Sequence, residues 1–322
     1  MKKTGLLLLL LLIAAAAAQT GSMPAATTVD SPAPADVIVT SANVPMVRLQ
    51  TPTSADLYCA GFINKQLLPN ANFVAGGLHT PSTTKYVNGD LVYLSGGGYQ
   101  SGQQYTVVRE LRDPNRYELF AGQHTAIKQA GQPYAELARI RVLDTRSKMA
   151  VAQVEFSCDP VNPGDLVVPY ADKSTIAFHP PKRFDRFTPP SGKVSGRIVM
   201  AKDFDSEIGT GAKVYVNVGS NQGVKIGDYF RAVRRYTDDL KDPVDSLSFK
   251  ASTAEDTQKK EPSIEQNMLT KTGGPTIHVA DMPRRAVGEM VIVGVTPTTA
   301  TGMIVFALED VHVGDGVEID EQ

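Results

Sequence analysis

Two stretches of the chain align with each other without a gap: residues 135–165, AELARIRVLDTRSKMAVAQVEFSCDPVNPGD, and residues 285–315, RAVGEMVIVGVTPTTATGMIVFALEDVHVGD. A self-similarity at a fixed spacing indicates that one structural unit is used twice. The constant offset pairs apolar and turn residues, among them Ala150 with Ala300, Phe156 with Phe306, Val161 with Val311, and Gly164-Asp165 with Gly314-Asp315.

Two shorter segments upstream repeat in the same order. Val92-Tyr93-Leu94 resembles Val214-Tyr215-Val216, and residues 102–109 resemble residues 227–234. The repeated positions hold apolar residues, glycines and turn residues. The repeat therefore describes architecture, and it does not by itself indicate a duplicated active site.

Short β-rich runs separated by turn signals fill the first copy, and helical periodicity is almost absent from it. In the run that ends at Cys158, Ala150, Ala152, Val154 and Phe156 alternate with Gln153, Glu155 and Ser157. We therefore predict an all-β protein made of two tandem small antiparallel β-barrel or sandwich domains. The second copy begins at residues 193–199, which we match with residues 58–63 of the first copy.

The N-terminus has the pattern of a secretory signal peptide, with Lys2 and Lys3 before an apolar run that ends in small residues at Ala18. The run is too short for a hydrocarbon core of about 30 Å, so a membrane anchor is the weaker reading. We expect cleavage after Ala18, no transmembrane segment afterwards, and export to the periplasm, the outer membrane or the cell exterior.

Composition divides the rest of the chain. Residues 19–54 are rich in Ala, Pro, Thr and Ser, which predicts a disordered leader. The predicted parts that follow are barrel repeat 1 at 55–170, a Pro-rich linker at 171–191, and barrel repeat 2 at 192–320 with a polar loop at 236–284. For the polar loop we consider disorder or a lid. The linker phenylalanines Phe178, Phe184 and Phe187 are expected to pack on a neighbouring unit, with a partner site as the alternative.

The chain has two cysteines, Cys59 and Cys158. In an exported protein such a pair favours a disulfide, whereas two buried free thiols are the alternative. The repeat places both residues at core-facing positions, on the first strand of the unit and on a late one, which a closed sheet would bring together.

Known catalytic patterns are missing from the sequence. The five histidines are far apart, with no HExxH pair or other short metal-ligand spacing, and no G-x-S-x-G elbow is present. Ser95-Gly96-Gly97-Gly98 is followed by a strand, so we interpret it as a hairpin turn and not as a phosphate loop. Asp165 and Asp315 recur after glycine, as expected of turn residues that bind their own backbone. We therefore predict no catalytic, metal or cofactor residues.

Several turn residues of the second copy form a known pattern: Val214-Tyr215-Val216-Asn217-Val218-Gly219, Gly223-Val224, Gly227-Asp228-Tyr229-Phe230, Val233-Arg234 and Val313-Gly314-Asp315. The pattern resembles the C-terminal β-barrel domain of flagellar assembly protein T and related envelope modules. It covers residues 192–319, and a degraded copy covers residues 58–168. The resemblance implies a small β-barrel of the cell envelope.

We expect a non-enzymatic envelope protein that acts as a scaffold or protein-interaction module, with envelope proteins as partners. The alternative is a module that binds peptidoglycan or another carbohydrate, and a hydrolase with an unrecognised site is a third reading. Tyr93, Tyr99 and Tyr215 form the candidate interaction surface, because exposed tyrosine rings stack on sugars. A net charge of −2 and the lack of a basic stripe argue against a nucleic-acid partner.

Overall fold

The computed structural model describes residues 49–80, 82–178, 184–187, 189–235, 257–258, 277–278 and 283–320. The predicted signal peptide and most of the predicted leader and polar loop lie outside the described residues. Of the leader predicted at 19–54, residues 49–54 are described. The buried side chain of Leu49 packs on the second repeat, and the Gln50 amide donates a hydrogen bond to the Val305 carbonyl. This end of the leader is therefore ordered.

Strands dominate the described part of the chain. In the first half they are β1 Phe62–Asn64, β2 Phe73–Gly77, β3 Leu91–Ser95, β4 Gln104–Glu110, β5 Gln132–Asp144, β6 Ala150–Ser157 and β7 Leu166–Pro169. In the second half they are β8 Ser195–Ala201, β9 Glu207–Ile208, β10 Lys213–Val216, β11 Tyr229–Arg234, β12 Thr257–Gln258, β13 Ile277–His278, β14 Arg285–Val295, β15 Ala300–Ala307, β16 Val311–His312 and β17 Gly316–Asp320. The helices are α1 Ser54–Tyr58 and α2 Gln123–Ala130, with a 3₁₀ turn at Ser220–Gln222.

Two antiparallel rings organise these strands. The first, barrel 1, runs β5-β4-β7-β2-β3-β6 and closes through the pairing of β5 with β6. The second, barrel 2, runs β14-β11-β17-β8-β10-β15 and is also closed. Strand β1 lies outside the first ring and pairs with the start of β5. The predicted all-β fold with two small barrels is confirmed.

The repeat extends to irregularities of the backbone. The β5–β6 pairing shifts register between Arg139 and Ile140 and again between Val142 and Asp144. The β14–β15 pairing shifts at the equivalent places, between Glu289 and Met290 and between Ile292 and Gly294. The β4–β5 and β11–β14 pairings share a third shift. Because bulges bend and twist a strand, three matching bulges give the two barrels the same curvature.

The match of residues 193–199 with residues 58–63 is wrong. Gly316 of β17 pairs with Arg197 of β8, and the equivalent Leu166 pairs with Phe73, so β8 corresponds to β2. Cys59, which we placed on the first strand of the unit, lies instead at the end of α1, whose start is a capping box of Thr53 and Asp56; the first strand, β1, begins only at Phe62. Among the described strands of barrel 2, β1 has no counterpart, and the segment between β4 and β5 contains α2 although helical periodicity is almost absent from the first copy.

In barrel 1, strand β6 has one apolar and one polar face, as predicted. Ala150, Ala152 and Val154 point into its core. Phe156 and Cys158 are only half-buried, because the register shift after Val154 ends the regular alternation. On the outer face of the same sheet, Glu155 accepts hydrogen bonds from Arg141 and Gln104. This outer face is polar and solvated.

In barrel 2, both faces of β14 and β15 are mainly apolar. Where barrel 1 has Arg141, Gln153 and Glu155, it has the buried residues Val291, Met303 and Val305. A second apolar cluster covers this outer face, and its covering side chains are Leu49, Leu57, Ala60 and Phe184, with Ile176 and Phe178 at the edge. The prediction that Phe178 and Phe184 pack on a neighbouring unit is confirmed, while Phe187 is exposed.

An arginine–aspartate pair recurs at the same place in both barrels. Arg109 binds both carboxylate oxygens of Asp165 at 2.7 Å, and Arg234 binds both oxygens of Asp315 at 2.8 and 2.7 Å. Asp165 and Asp315 also accept a hydrogen bond from the amide three residues before them, at Asn162 and His312. The predicted turn role of these aspartates is confirmed, and each also ties its turn to a neighbouring strand.

Cys59 and Cys158 form a disulfide with Cα atoms 5.7 Å apart. The pairing is as predicted, but its setting is different. Cys59 is the C-cap of α1, Cys158 follows β6, and both residues are half-buried outside the barrel core. The bond therefore fastens α1, and with it the start of β1, to barrel 1.

Removal of the disulfide should destabilise the protein, since the bond closes a chain segment of 99 residues. For the double variant Cys59→Ser/Cys158→Ser we expect a loss of about 2–4 kcal/mol in the free energy of unfolding, measured with urea. The wild type under reducing conditions is the control and should lose a similar amount. An unchanged unfolding midpoint in both would contradict a stabilising role of the bond.

Candidate functional site

Tyr215 is not part of an exposed surface, contrary to the prediction. Its side chain is 0% exposed, and its hydroxyl donates a hydrogen bond to the Ala60 carbonyl at 3.3 Å. Burial strongly raises the pKa of the Tyr215 phenol. The ring lies under the segment that leads into β1, so it cannot reach an external partner.

Tyr93 and Tyr99 belong to barrel 1 and are half-buried. Tyr93 occupies the position on β3 that Tyr215 occupies on β10, but none of the described residues forms a β1-like segment over it. Tyr99 packs edge to face on Tyr105, with ring centroids 5.3 Å apart, and its hydroxyl donates to the Ser95 carbonyl. Burial raises the pKa of Tyr99 to about 12. The three predicted tyrosines therefore do not form one surface.

The two barrels meet along residues 60–63, and these residues use both edges. On one edge, β1 pairs with β5 of barrel 1. On the other, the carbonyls of Gly61 and Ile63 accept hydrogen bonds from the hydroxyls of Thr301 and Thr299, each at 2.9 Å. Neither threonine belongs to a sequence motif, so the sequence did not reveal the contact.

Gly61 meets two requirements of this junction. Its φ is +68°, a backbone conformation that side chains disfavour. A Cβ atom there would lie 2.4 Å from the Tyr215 hydroxyl and 2.7 Å from the Tyr134 carbonyl. Its amide donates to Glu136, whose carboxylate also binds Lys173 at 2.6 and 2.7 Å. The glycine therefore permits close approach of the barrels, and the Glu136–Lys173 pair holds it in place.

Helix α2 fills the space beside the junction. Its first residue, Gln123, is buried and donates to the Val199 carbonyl of barrel 2 at 3.1 Å. Glu118 accepts hydrogen bonds from the amides of Gly122 and His124 at the helix start, and these bonds lower the pKa of its carboxyl. Gly131 is the C-cap of the helix, and the position requires glycine because a Cβ there would lie 2.2 Å from the Asn64 carbonyl oxygen.

Between α2, the chain after β1 and barrel 2 lies an open cleft of about 460 Å³, which we call the junction cleft. Its basic residues are Lys65, Arg112 and Lys128, and Asp113 is its acidic lining residue. Its apolar lining consists of Leu67, Leu111, Ile127, Pro133 and Met200. Leu67 is 72% exposed, which is unusual for a leucine at the mouth of a cleft. The junction cleft combines positive charge with exposed apolar surface, and both barrels contribute to it.

An ionic contact also crosses the junction, between Asp56 of α1 and Lys213 of β10. Burial raises the pKa of Asp56, but hydrogen bonds from Lys213 and Thr53 outweigh it and hold the pKa below its usual value. The ionised carboxylate is therefore the form that the folded protein stabilises.

The linker leaves barrel 1 through a polar aromatic cluster next to the disulfide. The rings of Tyr58 and Tyr170 stack with centroids 5.7 Å apart, and the Arg139 guanidinium lies over both. Desolvation and the hydrogen bond to Asp172 raise the pKa of Tyr58 to about 12. Because the hydroxyls of Tyr58 and Tyr170 bind each other and Asp172, the cluster serves to anchor the linker.

Among the described residues, no helix has the length and apolar character needed to cross a membrane. Within the same residues, no three His, Cys, Asp or Glu side chains are grouped as a metal ion requires.

No protein-family model matches the chain. No curated protein matches it either. The resemblance to the barrel domain of flagellar assembly protein T therefore stays a prediction, and the function has to be argued from the geometry of this chain.

Substitution of Gly61 tests the junction, and Gly89 offers a matched control. Both glycines have positive φ, +68° and +89°, but only Gly61 has neighbours within reach of an added Cβ. We expect Gly61→Ala to cost about 1–3 kcal/mol more unfolding free energy than Gly89→Ala, because of overpacking against Tyr215 and Tyr134. Equal losses in urea unfolding would mean that the close contact is not required.

The Asp56–Lys213 contact should make stability depend on pH. A carboxyl with a lowered pKa stabilises the folded state above its unfolded pKa of about 3.9, and the contribution is lost as pH falls through the folded pKa. We expect the stability difference between wild type and Asp56→Asn to be largest near neutral pH and to shrink below about pH 4. A difference that stays constant between neutral and acidic urea titrations would contradict this assignment.

Proposed function

We propose that the protein is an exported scaffold of the bacterial cell envelope, and that it binds a partner protein at the junction cleft without catalysing a reaction. The observation that carries the proposal is the cleft itself. It is open, it has basic and apolar walls, and residues from both barrels line it. A site of this kind is suited to holding a segment of another chain.

The contacts that hold the two barrels together favour the role of a scaffold. The outer face of β14 and β15 is sealed by the linker and by α1, and the barrels share buried hydrogen bonds at Thr299, Thr301 and Gln123. The barrels therefore hold the walls of the cleft in fixed relative positions. A preformed site loses little conformational entropy when it binds.

Export is supported by the disulfide, because such bonds persist in oxidising compartments and are rare in the cytosol. The signal-peptide pattern of residues 1–18 supports the same location. We therefore look for the partner among proteins of the envelope.

Charge and shape define the partner. The cleft has three basic side chains and one acidic one among its lining residues, together with an apolar floor. A complementary segment would have acidic residues next to leucine-like side chains. The peptidoglycan alternative has weaker support, because Tyr215 is buried and Tyr99 packs on Tyr105.

A photo-crosslinking amino acid at Leu67 tests this proposal in cells. Leu67 lines the cleft and Leu78, at 56% exposure, does not, so Leu78 is the control position. We expect a discrete protein adduct from position 67 and none from position 78. In the same strain, Lys128→Glu should reduce the adduct strongly, because it removes the charge complementarity.

Lys148→Glu is the charge control, since Lys148 is exposed in the turn between β5 and β6. If Lys148→Glu reduces the adduct as much as Lys128→Glu, or if position 78 gives the same adduct, the cleft is not the binding site. Sedimentation of the purified protein with sacculi at moderate salt would favour the carbohydrate alternative instead.

A further inference from the structure

The turn before β17 in barrel 2 is capped by an aromatic residue of barrel 1. The Phe120 side chain lies over Gly314, since a Cβ atom at Gly314 would meet its atoms at 3.0, 3.1 and 3.3 Å. The Arg197 guanidinium carbon lies 5.0 Å from the centroid of the same ring. Leu119 and Phe120 also pack against the core of barrel 2. A loop of one barrel therefore places an aromatic ring on a turn of the other.

Barrel 1 has the same turn before β7. The Gly164 amide donates a hydrogen bond to the Val74 carbonyl of β2, as the Gly314 amide donates to the Ile198 carbonyl of β8. The arginine–aspartate pair closes both turns. The φ values of Gly164 and Gly314 are +95° and +110°, which explains the glycine in each copy. The shared fold thus explains the turn itself but not what covers it.

The two turns differ in their cover. Next to Phe120, Gly314 is half-buried and Val313 is 6% exposed. The equivalent residues of barrel 1, Gly164 and Pro163, are both exposed. Apart from its chain neighbours, none of the described residues has an atom within 4 Å of a Cβ placed on Gly164. Residues 163–165 therefore form an open turn, which we call the Gly164 turn.

The side chain next to the Gly164 turn suits an aromatic ligand. Phe73 stands where barrel 2 has Arg197, because Phe73 pairs with Leu166 as Arg197 pairs with Gly316. Phe73 is half-buried, and it points away from the barrel core because the adjacent Val74 points into it. Aromatic rings pack favourably on each other. Phe73 can therefore replace the guanidinium as the neighbour of an incoming ring.

A cleft of about 420 Å³ adjoins the Gly164 turn, with Asn70, Glu110, Pro163 and Gly164 among its lining residues. The chain on either side of an inserted ring has room there. Asn70 and Glu110 are exposed, and their side chains can form hydrogen bonds with a peptide backbone. This cleft has no lining residue in common with the junction cleft.

We propose that the Gly164 turn binds a phenylalanine or tyrosine side chain on a loop of another protein. The ring lies over Gly164 and against Phe73, as Phe120 lies over Gly314 and against Arg197 in barrel 2. Aromatic anchors of this kind supply much of the binding energy of protein interfaces. A second copy of the chain is the weaker occupant, because its own Phe120 loop is already packed on its barrel 2. The proposal does not depend on the junction cleft.

A peptide with the sequence of residues 115–124 is the probe, because this segment caps the equivalent turn. In the full-length mature protein, barrel 2 is already occupied by its own copy of the segment, so the Gly164 turn is the equivalent place that is open. An aromatic ring shifts the NMR resonances of the atoms that face it. We expect saturable shifts of the Gly164 amide resonance on titration with this peptide, and none with a peptide in which alanine replaces Phe120.

Two variants test the contacts of the ring. Gly164→Ala should weaken binding at least about fivefold, because its methyl group occupies the place of the ring. Phe73→Ser should weaken binding about threefold, because it removes the aromatic neighbour. Gly102→Ala is the matched control and should leave the affinity unchanged. Gly102 also has positive φ, +83°, and open space around its Cβ position, but it precedes the opposite end of β4.

The proposal is overturned if the Gly164 resonance does not move, if the alanine peptide moves it equally, or if Gly102→Ala weakens binding as much as Gly164→Ala. Urea unfolding of each variant checks the fold, and the two glycine variants should lose similar stability because both acquire the same backbone strain. Sedimentation that shows a wild-type dimer, lost in Gly164→Ala, would place a second copy on the turn and overturn the assignment to another protein.

Discussion

The arrangement of the whole molecule depends on residues 60–63, whose two edges serve different barrels. One edge completes a strand pair with β5, and the other offers its carbonyls to Thr301 of β15 and to Thr299, which directly precedes that strand. The unpaired backbone groups of a strand edge in water can pair with another chain. The threonine hydroxyls that bind these carbonyls therefore also prevent such pairing. The disulfide at Cys59 and the Glu136–Lys173 pair fix this segment to barrel 1. The position of barrel 2 then follows from a short, tightly held piece of chain.

The chain that covers barrel 2 explains why two copies of one barrel differ in composition. In barrel 1 the outer face of β5 and β6 meets water, and it holds a network around Glu155. In barrel 2 the outer face of β14 and β15 meets the linker and α1, and Val291, Met303 and Val305 replace the polar residues. Strands buried on both faces lose the alternation of polar and apolar residues. The continuous apolar run of residues 290–293 is thus a consequence of being covered.

The sequence predicted the parts that depend on local chemistry and on the repeat. The two barrels and the Cys59–Cys158 pair follow from alternation, turn residues and spacing. Prediction from the sequence failed where contacts between distant parts of the chain decide the local structure. The capping box at Thr53 starts a helix that ends at Cys59, which we had placed on a strand, and Tyr215 is buried by a segment more than 150 residues away in the chain. The apolar run of residues 290–293 lacks the alternation of polar and apolar residues, and this feature of the sequence would have indicated a covered face.

The candidate sites were harder to predict than the fold, because clefts arise from residues that share no motif. The junction cleft combines α2, the chain after β1 and Met200 of barrel 2, which only the docking of the barrels brings together. Comparison of the two copies separates residues that both barrels need from residues that only one of them carries. Shared residues such as Arg234 and Asp315 tie the same turn to the same strand in both barrels, whereas Arg235 in place of Glu110 reverses a charge. Since barrel 1 closes without such a charge, the reason for it lies in contacts that barrel 1 does not make.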